Sequence, residues 1–181
     1  MSLASDRDRP RQRTHTHDGL TVGFHDVGHG RAVVMLHNGG TSSTIWRHQV
    51  DALAPDHRVV TIDLPGFGSS PRPLEPTSLE RIVELVASLI EAEDLAPALL
   101  VGNCMGSNVS ATLARTRPEL VAGVLAVNPL TEETFTGGGI GFLHTMGRLA
   151  PAPTRALRQL SRRVRVPRPV AELALRFQLG P

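Results

Sequence analysis

The residues best suited to covalent chemistry lie in Gly102-Asn103-Cys104-Met105-Gly106. A thiol is an intrinsically strong nucleophile, and this spacing matches the pattern Gly-x-nucleophile-x-Gly, which puts a reactive side chain on a sharp strand-to-helix turn. Glycines two before and two after Cys104 would keep Cβ atoms out of that turn. A helix opening just behind it would aim free N–H groups and its positive end at the sulfur, favouring the anionic form. A plainer reading of the same residues is a small buried cysteine in a turn with incidental glycines. Other reactive types are sparse. After Cys104 the chain has no Asp, His144 is its one histidine, and its acids are Glu119, Glu132, Glu133 and Glu172. His144 offers a weak alternative general base, set against an ordinary exposed or packing histidine. His15, His17, His25 and His29 lack an accompanying acidic set, so no metal site is expected.

The surrounding sequence supplies elements that could hold such a turn. The apolar runs 32–36, 58–62, 98–101 and 121–127 have the length and branching of buried strands. Helical spacing covers 44–53, the stripe Leu79, Ile82, Val83, Val86, Leu89 and Ile90, and residues 107–117. Thr77 or Ser78 can cap the middle helix. Residues 12–27 predict an antiparallel pair turning near Asp18-Gly19. The alternation that follows predicts an α/β fold, a mostly parallel sheet with helices on both faces. Residues 1–18 form a polar arm, 19–135 the core, and 136–181 a helical, lid-like segment broken by prolines.

Composition narrows the function classes. The 181 residues are 40% hydrophobic with one cysteine, which excludes a disordered chain and a disulfide scaffold. No apolar run approaches the roughly 20 residues of a membrane span, and the polar start lacks the apolar stretch of a signal peptide, so a cytoplasmic location is the default. The net charge of +2 is uneven: residues 142–181 carry eight Arg against Glu172. No aromatics interleave with these Arg residues, so nucleic acid is not an expected partner. The glycines do not follow the dinucleotide-binding template, and no cofactor is expected.

Taken together, Leu36-His37-Asn38-Gly39-Gly40, Trp46, Asp63-Leu64-Pro65-Gly66-Phe67-Gly68-Ser69-Ser70 and Gly102-Asn103-Cys104-Met105-Gly106 resemble the α/β-hydrolase superfamily, over about residues 20–130. The resemblance implies that Cys104 is the nucleophile at a nucleophile elbow. It further implies that the N–H groups of Met105 and Gly39 form the oxyanion hole, with Gly40, Gly102, Asn103 and Gly106 supporting elbow and pocket. Asp63 and Gly66 match a structural turn. His37 matches a residue beneath the oxyanion loop, with a general-base role as the alternative. An ester, thioester or related small-molecule acyl substrate follows, handled by hydrolysis or acyl transfer. Three departures from the family pattern matter. Cys104 stands where Ser is usual. Asn38 stands where Gly is usual, and its side chain could face the substrate. The acid and histidine expected downstream are not found, so the chain resembles a C-terminally truncated hydrolase. A catalytically silent chain that binds a small molecule or needs a partner therefore remains the alternative. On that reading the strand 121–127 becomes an exposed edge, open to a second copy or a complementing chain.

Overall fold

The structure is a computed structural model and describes residues 12–130. The segment 136–181, His144 and the first eleven residues of the polar arm lie outside the described residues. Two strands open the fold, β1 (Arg13–His17) and β2 (Leu20–Val27). The turn between them has positive φ at both Asp18 (46°) and Gly19 (72°), as a two-residue hairpin of Asp-Gly type requires. β3 (Arg31–Leu36) follows. Next come a 3-10 turn at Ser43–Trp46, α1 (Arg47–Leu53), β4 (His57–Asp63), α2 (Leu79–Ala92), β5 (Ala98–Asn103), α3 (Met105–Thr116) and β6 (Val121–Val127).

The six strands form one sheet in the order β1-β2-β4-β3-β5-β6. The pairings β4–β3, β3–β5 and β5–β6 are parallel, whereas β1–β2 and β2–β4 are antiparallel. The sheet is thus mixed, with the expected hairpin added beside β4. β3 is apolar at every position from Ala32 because both of its faces are buried. Val34 and Leu36 join Val60, Ile62 and Leu100 under α2 and α3, where Val83, Val86, Leu89, Ile90, Val109 and Leu113 pack against them. Val33 and Met35 point the other way, with Val59 and Val101, and meet Trp46, Ile45, Val50 and Leu53.

Three boundaries differ from the sequence expectation. The helix expected over 44–53 begins as a 3-10 turn. β5 continues to Asn103, because Gly102 pairs with Leu36 and with Ala126. α3 starts at Met105 rather than 107, because the chain passes from strand to helix through Cys104 alone. Ser78 caps α2, its side chain accepting from the Arg81 N–H at 3.4 Å.

Candidate active site

Adjacent parallel strands deliver their following loops side by side, and ligands of such sheets sit beyond the carboxyl ends of the strands. Leu36 and Gly102 are in register, as are Asn103 and Val127. The segments after β3, β5 and β6 therefore leave the sheet at the same edge. Cys104 sits on the turn with φ 53° and ψ −107°, outside the regions that residues with a side chain favour.

The two flanking glycines explain how this turn is tolerated. A Cβ on Gly102 would run into the Gly106 carbonyl, and a Cβ on Gly106 would run into the Leu36 carbonyl oxygen. Cys104 donates its N–H to the Val127 carbonyl at 2.9 Å. The Ser107 hydroxyl lies 2.7 Å from the Gly102 carbonyl and 2.8 Å from that of Val127. The Asn108 side chain donates to the Leu130 carbonyl at 3.2 Å and accepts from its N–H at 3.1 Å. The elbow is thus tied to the end of β6, while Cys104 itself remains a free, half-buried thiol. Met105 begins α3, where a main-chain N–H has no helical partner.

Beside it, β3 ends in His37, Asn38, Gly39 and Gly40. His37 is fully buried. Its Nε2 accepts from the Leu64 N–H at 2.8 Å, and its Nδ1 lies 2.7 Å from the Asn38 carbonyl, which only a protonated Nδ1 can satisfy. Both nitrogens are committed, and the neutral ring is locked in one tautomer. Burial pushes its pKa below the ordinary value, outweighing the opposite pull of the Asn38 carbonyl and of Asp63. Phe67 meets the ring edge-on with centroids 5.5 Å apart. Both ring nitrogens are thus engaged with the main chain of Asn38 and Leu64.

Asp63, at the end of β4, is buried as well. It accepts from the Ser43 N–H at 2.7 Å and from both the N–H and the hydroxyl of Ser69 at 2.8 Å. Burial alone would raise its pKa, yet these bonds together hold it below the usual carboxylate value. Asp63 therefore fastens the loops after β3 and β4, as the sequence implied. A Cβ on Gly68 would collide with that carboxylate, and Gly68 has positive φ (52°), so this position excludes a side chain. Asn38 is half-buried, and Gly39 and Gly40 are exposed.

Thr41 and Ser107 escaped the reading of the motifs. Thr41 follows Asn38 by three residues, the spacing of local side-chain-to-backbone bonds, and that is the one signal the sequence offers. His144, Glu132, Glu133 and Glu172 lie outside the described residues. His15 pairs with Ser88 at 2.9 Å, and no group of three or more metal-ligating side chains occurs among the described residues. No helix among them is long and apolar enough to cross a membrane.

A family model described as alpha/beta hydrolase fold matches residues 31–162. The chain is 33% identical over 129 residues to a "Dihydrolipoyllysine-residue acetyltransferase component of acetoin cleaving system" from Pseudomonas putida, covering 71% of this chain and 34% of the relative. It is 29% identical over 154 residues to a "2-hydroxy-6-oxononadienedioate/2-hydroxy-6-oxononatrienedioate hydrolase" from Escherichia coli, covering 82% of this chain and 49% of that protein. Among solved structures, an epoxide hydrolase from Vigna radiata superposes with TM-score 0.63 at 26% identity, over 68% of this chain and 39% of that one. The chain spans about a third to a half of the curated relatives it matches.

Proposed function

The chain belongs to the alpha/beta hydrolase fold family, and from that membership we propose that it acts on an ester, thioester or related acyl compound through Cys104. The thiolate adds to the acyl carbonyl carbon, and the carbonyl electron pair moves onto oxygen. The N–H groups of Gly39 and Met105 receive that oxyanion, each worth about 3 kcal/mol to the transition state. The carbonyl then re-forms and expels the leaving group with its bonding pair, which leaves a thioester on Cys104. Water or a second acceptor completes hydrolysis or acyl transfer. The names of the relatives cover both outcomes.

One observation carries this reading. Cys104 is held with φ 53° between β5 and α3, at a turn whose glycines leave no room for side chains. A cysteine that served only packing would have no need of such a conformation. The test is release of p-nitrophenolate from p-nitrophenyl acetate by the whole chain. A burst or steady release that disappears in Cys104→Ala supports the reading, and equal rates in both proteins overturn it.

A second reading is binding of an acyl compound without turnover. It is favoured by the commitments of His37 and Asp63, which leave neither free to relay protons. It predicts that an acyl compound binds, while p-nitrophenolate release is no greater than from Cys104→Ala.

A further inference from the structure

Among the described residues, what fixes the direction of the Gly39 N–H is the hydrogen bonding around it. A Cβ built on Gly39 or Gly40 would meet no atom within 4 Å. Among the described residues, the contacts that hold this loop are hydrogen bonds. Those bonds converge on the Asn38 carbonyl. It accepts from His37 Nδ1 at 2.7 Å, from the Thr41 hydroxyl at 3.0 Å and from the Thr41 N–H at 3.4 Å. The Thr41 hydroxyl also lies 2.7 Å from Asn38 Oδ1, so its single proton is shared between the main-chain and side-chain oxygens of one residue.

The Asn38 carbonyl and the Gly39 N–H belong to the same planar, trans peptide unit, and they point in opposite directions. Pinning the oxygen inside the loop turns the hydrogen outward. His37 holds the unit from beneath, while Thr41 holds it from beyond the tip formed by Gly39 and Gly40. Without the Thr41 hydroxyl only the longer 3.4 Å bond from the Thr41 N–H would hold the peptide on that side, and the two glycines would let it swing about its anchor on His37.

We infer that Thr41 is a positioning residue for the oxyanion-binding N–H of Gly39, acting by clamping the Asn38–Gly39 peptide. This inference rests on the proposed role of Cys104. It distinguishes two reactions of one sulfur. In acylation by p-nitrophenyl acetate the thiolate forms a bond to the carbonyl carbon, an oxyanion develops, and p-nitrophenolate leaves with its electron pair. In alkylation by iodoacetamide the same thiolate displaces iodide at a saturated carbon, and no oxyanion forms.

The experiment compares both rates at Cys104, by intact mass, in the whole chain and in Thr41→Val and Thr41→Ser. Thr41→Val is expected to slow acylation roughly tenfold, less than outright removal of an oxyanion donor, while alkylation stays within about twofold. Thr41→Ser, which keeps the hydroxyl, restores acylation. The inference is overturned if Thr41→Val leaves acylation unchanged or slows both reactions equally, or if Thr41→Ser behaves like Thr41→Val. If the unaltered chain is alkylated but never acylated, the role of Cys104 itself fails and the inference goes with it. That pattern is visible before any variant is made.

Discussion

His37 shows how a residue type that invites a catalytic reading can be claimed by structure. Its ring fills a buried space, receives the Leu64 N–H and donates to the Asn38 carbonyl. Replacing it with Phe keeps most of the volume but leaves a buried N–H without a partner. That change should cost about 2–3 kcal/mol in urea unfolding near pH 7. The pH dependence has a definite sign. The folded-state pKa of His37 lies below its ordinary 6.5, so the unfolded chain takes up the proton first as the pH falls. The contribution is complete above the unfolded value and is lost as pH drops from there toward the folded value. Asp63 acts in the same direction lower down. Its carboxyl is held below 3.8, so its contribution is present above that value and disappears as pH falls through the folded pKa. Unfolding midpoints should therefore decline as the pH falls below the ordinary histidine value of 6.5, and His37→Phe should flatten that limb; a slope unchanged in the variant would contradict the assignment. The turn at Cys104 was legible in the sequence because its flanking glycines are steric requirements written into composition. Thr41 and Ser107 were not, because a hydroxyl acquires its role only when the fold brings particular carbonyls to it.

Among the elements, the turn between β5 and α3 carries the greatest steric demand. Gly106 is wedged against the Leu36 carbonyl, so its missing Cβ sets how closely α3 approaches β3. Gly106→Ala should destabilise the chain by on the order of 3 kcal/mol, because the obstacle is main chain and cannot rotate away. Denaturant titration checks this, and an unchanged midpoint would mean that α3 sits more loosely than described. The strands and helices themselves were readable, since β3 and β5 are apolar on both faces and α2 carries a stripe at helical spacing. Boundaries were less so. Gly102 and Asn103 look like turn residues by type, yet both extend β5: Gly102 pairs with Leu36 and Ala126, and Asn103 with Val127. The 3-10 start before α1 likewise carries no distinct signal. Ser43 there is held by the Asp63 carboxylate, twenty residues away in sequence.

At the scale of the whole molecule, the sheet ends at β6 among the described residues. Leu125 is 56% exposed and Leu99 on the neighbouring strand 39%, with Val124 and Val127 also open to solvent. The strand has no charge or proline to discourage pairing, and such edges recruit further strands. Concentration-dependent self-association is expected in sedimentation velocity, and Leu125→Lys should shift the population toward monomer; a monomer at every concentration would count against it. The hydrolase fold, the elbow and the Asp63 turn could be read from residues, whereas the occupant of this edge could not, because exposure is a property of the assembled sheet. The most direct measurement returns to the thiol that the assembly presents. Incubation of the whole chain with p-nitrophenyl acetate, followed by peptide mapping, should place one acetyl group on Cys104 and none on the Cys104→Ala protein. Acetylation confined to other residues, or a Cys104 that remains untouched while unfolded chain reacts, would contradict the account.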